Sequence, residues 1–245
     1  MLELQNISFE VTDDSGKKQT ILHNVNLKIS DQTFVVITGP NGGGKSTLAK
    51  IIMGIEVPTS GRILYQGEDI THLGITERAR KGIAYAFQQP VHFKGLTVRE
   101  LLSFSTGKDL DIEIACEYLS AVGLCARDYI HREIDKSLSG GELKRIEIAL
   151  AIARNAQLTL FDEPEAGIDL WSFNHLIQVF EYIRTQTSGS LLIISHQERI
   201  LDIADKIVVI ANGIVVEEGS KEDVLPNLLH DFTACSLMHS SEVVS

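Results

Sequence analysis

Eight consecutive residues, Gly39 to Ser46, combine four glycines with a lysine and a serine in the order Gly-Pro-Asn-Gly-Gly-Gly-Lys-Ser. Glycines let the backbone turn so that several N–H groups point at one anion, and the start of a helix adds a partial positive charge. The apolar run Phe34–Thr38 predicts a buried strand before the loop, and Lys45–Met53 predicts a helix after it. The run matches the pattern G-x-x-x-x-G-K-[ST], which predicts a phosphate-binding loop. Lys45 would then reach the β- and γ-phosphates, and Ser46 would hold Mg²⁺.

Two adjacent carboxylates, Asp162 and Glu163, follow the apolar run Leu158–Phe161. A buried strand that ends in this way places both side chains at the carboxyl edge of a sheet, where ligands bind in α/β folds. A solvated acidic loop is the alternative, and the phosphate loop in the same chain makes it the weaker one. We therefore expect Asp162 to bind Mg²⁺ through water and Glu163 to orient or deprotonate an attacking water.

A third polar segment, Leu138 to Glu142, precedes a helical pattern that runs to about Arg154. Ser139 and Glu142 have the spacing of a capping box, which predicts the first turn of a helix. Ser139–Gly141 places a hydroxyl and two glycines at this helix N-terminus, which also suits an anion. Because about 95 residues separate the segment from the phosphate loop, it need not face the phosphates of its own chain.

The spacing of apolar residues predicts the elements that position these groups. The first 30 residues alternate as two strands around a polar turn, which indicates an N-terminal antiparallel β subdomain. Further on, short apolar runs alternate with helical stretches, the pattern of an α/β fold with a mainly parallel sheet. Residues from about 96 to 155 show helical patterns alone, and we interpret them as an inserted α-helical subdomain. We expect one domain over residues 1–225 and a C-terminal tail over 226–245.

The composition is that of a globular protein and argues against several classes of function. The formal net charge of −11 opposes binding to nucleic acid or to anionic lipid. The three cysteines form no C-x-x-C pair, so we expect no zinc or cluster motif and a reducing, cytoplasmic location. We also expect no signal peptide and no membrane-spanning segment, so that any membrane role would depend on a partner.

In their order along the chain, the phosphate loop, Gln88, Ser139–Gly141, the carboxylate pair and His196 resemble the ATP-binding-cassette (ABC) ATPase family over about residues 1–225. The resemblance implies a P-loop NTPase core and an ATPase that uses ATP and Mg²⁺. It also implies an ATP-dependent, head-to-tail homodimer in which the phosphate loop of one chain faces the Ser139–Gly141 helix end of the other. In that arrangement Gln88 contacts Mg²⁺ and the attacking water, His196 touches the γ-phosphate, and Asp169 lies in a loop at the dimer interface.

The expected site therefore has three groups of residues. The catalytic residues are Glu163, His196 and Gln88, with Gln89 as the nearest rival of Gln88. The Mg²⁺ ligands are Ser46, Gln88 and Asp162. The residues expected to bind nucleotide are Gly39, Pro40, Asn41, Gly42, Gly43, Gly44, Lys45, Ser46, Thr47, Ser139, Gly140 and Gly141.

The chain departs from the common family pattern at Glu142 and over Glu165–Asp169. Two segments, Gly140–Ile148 and Ser195–Leu201, are similar to the SufC-type branch. SufC-type ATPases serve SUF iron–sulfur cluster assembly, so this similarity implies a SufB/SufD-like scaffold subunit as the partner. Leu138 and Glu163-Pro164 resemble a transporter ATPase instead, which leaves the ATP-binding subunit of a membrane transporter as an alternative. A nucleotide-dependent structural clamp is a weaker alternative, because the chain is acidic and has no long coiled-coil insertion.

The family's usual aromatic platform for adenine is also missing. Val11 occupies its place, with Phe9 two residues away, so we expect loose selectivity for the base. Contact with the partner subunit is expected through the loop Gln88–Gly95 and the adjacent helical subdomain.

Overall fold

The computed structural model describes residues 1–13, 15–89, 91, 93–135, 137–167, 170–186 and 189–228. The strands are β1 (Leu2–Thr12), β2 (Lys18–Ile29), β3 (Phe34–Thr38), β4 (Ser60–Tyr65), β5 (Glu68–Asp69), β6 (Ile83–Ala86), β7 (Leu158–Asp162), β8 (Ser190–Ile194), β9 (Lys206–Ala211) and β10 (Ile214–Ser220). The helices are α1 (Lys45–Met53), α2 (Ile75–Arg80), α3 (Val98–Thr106), α4 (Ile112–Ala121), α5 (Ala126–Tyr129), α6 (Gly140–Arg154), α7 (Leu170–Gln186) and α8 (Glu198–Asp202).

The N-terminal strands form a four-stranded antiparallel sheet in the order β2-β1-β4-β5. At the start of β1, Leu2 and Leu4 are buried, while Glu3 between them is partly exposed. This period of two is what a sheet with one covered face requires. The predicted antiparallel β subdomain is confirmed.

A six-stranded sheet in the order β10-β9-β3-β8-β7-β6 forms the centre of the molecule. Its strands pair in parallel except β10, which runs antiparallel to β9 at the edge. Every residue of β3, β7 and β8 is buried, because elements cover both faces of the sheet. The continuous apolar runs of the sequence therefore correspond to the central strands.

Side chains of β3 alternate between two hydrophobic cores, one on each face of the central sheet. Val35 and Ile37 belong to the core shared with the antiparallel sheet and α1. Phe34 and Val36 belong to the core shared with α7 and the helices that follow β6. With both faces packed, the strand positions the loop after it rigidly.

Between β6 and β7 the chain forms the helices α3, α4, α5 and α6, which confirms the inserted α-helical subdomain. The first of these helices begins with a capping box, in which the side chain of Thr97 accepts from the N–H of Glu100 and Glu100 accepts from the N–H of Thr97. Within the described ranges, no helix is long and apolar enough to cross a membrane. The division into residues 1–225 and a tail stays a prediction, and residues 229–245 lie outside the described part of the chain.

Candidate nucleotide-binding site

Four neighbouring parallel strands bring the predicted residues to one edge of the central sheet. The phosphate loop follows β3, His196 follows β8, Asp162 ends β7, and Gln88 follows β6. Because the carboxyl ends of parallel strands share an edge, residues far apart in sequence meet there. The predicted position of the carboxylate pair at this edge is confirmed.

The phosphate loop Gly39–Gly44 has room only for glycine at its tightest positions. Gly39 has a φ of 130°, and a Cβ there would lie 2.1 Å from the carbonyl oxygen of Ile210 on β9. Gly44 has a φ of 102°, and a Cβ there would lie 2.6 Å from the side chain of Leu22 on β2. The turn leads directly into α1, whose first N–H groups have no partner within the helix and suit an anion.

Lys45, the first residue of α1, lies under this turn and is only 5% exposed. Its Nζ donates to the carbonyl oxygens of Gly39 and Pro40 at 2.8 and 2.9 Å. Burial lowers the pKa of Lys45, while the charges of Glu163 and Asp162 act in the opposite direction. The ammonium group is therefore held inside the loop, close to the two carboxylates.

Ser46 and Asp162 meet across the sheet edge. Ser46 Oγ donates to Asp162 Oδ1 at 3.0 Å, and the Tyr85 hydroxyl on β6 donates to Oδ2 at 2.8 Å. Burial and the charge of Asp162 raise the pKa of Tyr85, so this phenol remains a donor at neutral pH. A hydroxyl and a carboxylate are oxygen ligands of the kind that Mg²⁺ takes, so these residues fit a bound Mg²⁺.

Glu163 extends beyond the end of β7 toward Gln88. Its φ of 45° is in the left-handed region, and its N–H donates to the carbonyl oxygen of Ile194 at 3.0 Å. Gln88 Nε2 donates to Glu163 Oε2 at 2.6 Å. The two adjacent carboxylates thus have different hydrogen-bond partners, Ser46 and Tyr85 for Asp162 and Gln88 for Glu163. Backbone strain like that of Glu163 at a candidate site is typical of residues held for function.

His196 is exposed two residues after β8, and a buried polar contact supports the turn that carries it. Ser195 Oγ donates to Glu165 Oε1 and accepts from the N–H of Gln197. Burial raises the pKa of Glu165, and its Oε2 has no hydrogen-bond partner among the described residues. This contact joins the loop after β7 to the turn after β8.

The Ser139–Gly141 segment begins α6, as predicted. Ser139 Oγ accepts from the N–H of Glu142, and Glu142 Oε2 accepts from the N–H of Ser139, so the capping box is confirmed. Ser139 and Gly140 are exposed, and a Cβ on Gly140 or Gly141 would meet no atom within 4 Å. In the described part of the chain, no hydrogen bond joins this segment to the phosphate loop.

Other polar residues of the site were missed by the sequence interpretation. Tyr85, Lys144 and Glu147 lie in stretches whose apolar pattern identified only a strand and a helix. The available signal was a pair of opposite charges three residues apart on a largely buried helix, Lys144 and Glu147. Asp169 lies outside the described residues.

A glycine-rich loop between a buried strand and a helix, with its serine bonded to an acidic residue at the end of another strand, is the arrangement of P-loop nucleoside triphosphatases. Within that class, the chain belongs to the ABC transporter family, whose family model matches residues 22–166.

Curated relatives and solved structures agree with this assignment. An uncharacterised ABC transporter ATP-binding protein of Methanocaldococcus jannaschii is 41% identical and aligns with 83% of this chain and 84% of its own length. The lipopolysaccharide export system ATP-binding protein LptB of Haemophilus influenzae is 31% identical over 86% of this chain and 89% of its own.

Among solved structures, a dimeric ATP-binding cassette in a post-hydrolysis state, bound to ADP and Pi, superposes with a TM-score of 0.80. It is 26% identical and aligns with 90% of this chain and 99% of its own. The predicted fold is confirmed. The chain is an ATPase of the ABC family, which uses ATP with Mg²⁺.

Proposed function

We propose that this chain is the ATP-hydrolysing subunit of an ABC transporter, in a dimer that closes on ATP and opens after hydrolysis. The hydrolytic part rests mainly on the 3.0 Å hydrogen bond from Ser46 to Asp162. It joins the phosphate loop to the acidic end of β7, although 116 residues separate the two in sequence. This contact supports the proposal, because phosphoryl transfer to water would need an anion-binding turn beside oxygen ligands for Mg²⁺.

The residues of the site divide the chemistry among them. Backbone N–H groups of Gly39–Gly44 and the Lys45 ammonium would bind the β- and γ-phosphates. Ser46, Asp162 and Gln88 would hold Mg²⁺, which would supply positive charge to the phosphate oxygens. Glu163 orients the attacking water and accepts its proton as the water oxygen bonds to the γ-phosphorus and ADP leaves.

Three further roles, those of Gln88, His196 and Thr47, complete this proposal. The Gln88 amide holds Glu163 in position through their 2.6 Å contact. His196, on the adjacent strand end, contacts the γ-phosphate. Thr47, which follows Ser46 on α1, lies at the helix end where the phosphates bind.

The proposed dimer is head-to-tail, with Ser139–Gly141 of each chain over the phosphate loop of the other. Two features of α6 support it. The segment is exposed at a helix N-terminus, which suits a phosphate, and no hydrogen bond among the described residues ties it to the loop of its own chain. The Ser139–Gly141 segment of a second copy can therefore cover the phosphate loop, which lacks a hydrogen bond to the same segment of its own chain among the described residues.

The proposed partner of this dimer is a membrane-embedded transporter subunit that inserts a short amphipathic helix into an apolar groove. The groove has a volume of about 300 Å³ and lies between β6, the loop after it, and α6. Phe87, Val91 and Phe93 line it and are 39–45% exposed, so three exposed apolar side chains gather in one groove. A groove of this kind suits an apolar helix face, and the names of the relatives favour a transporter as its source.

A SufC-type role with a SufB/SufD-like scaffold is a second candidate. One observation favours it: the Gly140–Ile148 and Ser195–Leu201 segments are similar to that branch. The relatives described above are named as transporter proteins rather than cluster-assembly proteins, so they favour the transporter. In both candidates the partner binds the same groove, and the chain itself works in the cytoplasm.

Glu163→Gln tests the hydrolytic assignment. The change keeps the shape of the side chain but removes its basic carboxylate, so phosphate release should fall by about a hundredfold or more. ATP binding should persist, and ATP-bound dimers should accumulate in light scattering after gel filtration. Phosphate release near the wild-type rate would show that Glu163 is not the catalytic carboxylate.

Two lysine variants provide the controls for that experiment. Lys45→Ala removes the cation inside the loop and should weaken ATP binding by roughly tenfold to a hundredfold in calorimetry. Lys50→Ala removes an exposed cation from the same helix and should leave ATP binding and phosphate release unchanged.

A further inference from the structure

Two charged side chains of α6 hold the peptide groups of one residue, Phe87, just after the end of β6. Glu147 Oε1 accepts from the N–H of Phe87 at 2.8 Å. Lys144 Nζ donates to the carbonyl oxygen of Phe87 and lies 3.5 Å from that of Gln88. The backbone at this point is therefore bound through both its donor and its acceptor.

Lys144 is buried, and Glu147 is partly buried at the wall of the groove. The Lys144 side chain is 2% exposed and the Glu147 side chain 16%, and Nζ lies 3.0 Å from Glu147 Oε2. This contact between Nζ and Oε2 is an ion pair. Burial raises the pKa of Glu147, although the charge of Lys144 opposes this.

Stability alone is a weak reason for such a pair. Removing two charges from water costs much of what their attraction returns, and apolar residues of similar size often stabilise a core as well or better. Charged groups do, however, fix a backbone position through directional bonds, which apolar packing does not.

The held backbone leads directly to the proposed catalytic group. Gln88 is the next residue, and its amide donates to Glu163 at 2.6 Å. Gln88 is exposed, and no other hydrogen bond of its side chain is found in the described chain. The position of its Cα therefore depends on the peptide groups of Phe87.

We propose that Lys144 and Glu147 are positioning residues for ATP hydrolysis, which set the Phe87 backbone and thereby hold the Gln88 amide on Glu163. The proposal rests on the roles of Gln88 and Glu163 in the proposed function. Because α6 also begins with Ser139–Gly141, one helix carries both the segment that would face the second copy and the pair that holds Phe87. A change in the orientation of α6 would then move Gln88 relative to Glu163.

The test is a double-mutant cycle in the full chain between Glu147→Ala and Gln88→Ala. Glu147→Ala alone should lower kcat by about tenfold or more and leave the Kd for ATP within about twofold. In the Gln88→Ala background, Glu147→Ala should have little further effect on kcat, because the contact that it positions is already absent. Lys144→Met should behave in the same way, and Glu147→Gln, which keeps the acceptor for Phe87, should restore part of kcat.

A purely structural role predicts a different result. In that case Glu147→Ala would lower kcat by the same factor in both backgrounds, or would weaken ATP binding along with kcat, and either result overturns the proposal. Glu113→Ala, an exposed glutamate on α4, is the matched control and should change neither. If Glu147→Ala fails to fold, the same cycle with Glu147→Gln and Lys144→Met decides.

The proposal and the function on which it rests can fail separately. If Gln88→Ala leaves kcat unchanged, the positioning proposal is overturned, because no Gln88 contact remains for the pair to serve. The ATPase site is tested independently by Glu163→Gln. A Glu163→Gln variant with wild-type phosphate release would instead refute the proposed site itself.

Discussion

At the level of single residues, Val11, near the end of β1, is the position that the family resemblance predicts to face the base. It is 37% exposed and pairs with Gln19 of β2. The same strand pair borders the phosphate loop, because Leu22 of β2 contacts Gly44. Phe9, the nearest aromatic side chain on β1, packs against the core between the two sheets. The position that the family resemblance assigns to the base-stacking aromatic ring therefore carries an aliphatic side chain.

We predict that GTP is hydrolysed within about a tenfold range of ATP. An aromatic platform adds roughly 1–3 kcal/mol per base, and Val11 supplies none. Val11→Tyr should tighten ATP binding by up to about a hundredfold, whereas Val57→Tyr, at another exposed valine, should not. The measurement is kcat/KM for both nucleotides in each variant. A wild-type preference for ATP above about a hundredfold would mean that another residue reads the base.

The sequence predicts the residues whose chemistry is linked to a local pattern. The phosphate loop, Asp162 and Glu163 follow strands that are apolar throughout, and their types and order identify them. Tyr85 shows no such signal, because its hydroxyl finds Asp162 only when β6 pairs with β7. The contact of Lys144 and Glu147 with Phe87 depends in the same way on how α6 packs beside β6.

At the level of elements, the predicted bounds agree best with the structure where the apolar pattern is clear. The predicted bounds of β3 and α1 match the structure, since each is a continuous or periodic apolar segment. The helix α2 was not predicted. It carries Arg78, whose side chain is fully buried and whose guanidinium donates to the carbonyl oxygens of Ile51 and Ile52 at the end of α1. Arginine in a sequence usually indicates a surface position. Because Arg78 is buried instead, the pattern of apolar and polar residues did not indicate a helix here.

Glu142, in the first turn of α6, should make the stability of the folded protein depend on pH. Hydrogen bonds from the Tyr129 hydroxyl and from Ser139 lower the pKa of Glu142 from its usual 4.5 to about 2. A depressed pKa means that the folded state favours the carboxylate. The stabilisation is therefore complete above about pH 4.5 and is lost as the pH falls toward about 2.

Glu142→Gln isolates this effect, because glutamine keeps a capping acceptor but does not titrate. The variant should have a lower free energy of unfolding than the wild type at about pH 7. The difference between the two free energies of unfolding should decrease as the pH falls below about 4.5. Urea unfolding of both proteins across this range gives the free energies of unfolding. A difference that is independent of pH would contradict the lowered pKa.

At the level of the whole molecule, the nucleotide site and the apolar groove share the segment at the end of β6. Tyr85 bonds to Asp162, and Gln88 bonds to Glu163. Phe87, between them, lines the groove and is bound to α6. A partner in the groove would therefore contact the backbone that leads to Glu163, the proposed catalytic carboxylate, which would give a short physical route from partner to hydrolysis.

If the partner binds in the groove, a charge introduced there should prevent its binding. Phe93→Asp places a charge in a contact that should become buried, at a cost of several kcal/mol, so capture of the partner should fall by more than about a hundredfold. Phe93 belongs to none of the proposed catalytic or binding groups, so ATP binding and basal phosphate release should persist. Phe104→Asp is the matched control, because Phe104 is 67% exposed on α3 and does not line the groove.

Gentle isolation of the native complexes of these proteins also separates the two partner candidates. A transporter subunit should retain the wild-type chain and the Phe104→Asp variant in the membrane fraction and release Phe93→Asp from it. A SufB/SufD-like scaffold would instead hold them in a soluble complex that contains iron and sulfide, and that result would favour the cluster-assembly role. Equal capture of Phe93→Asp and the wild type would show that the partner does not bind this groove. In that case binding of the partner would not act on Gln88 and Glu163 through the Phe87 backbone. The proposed ATPase site would be unaffected.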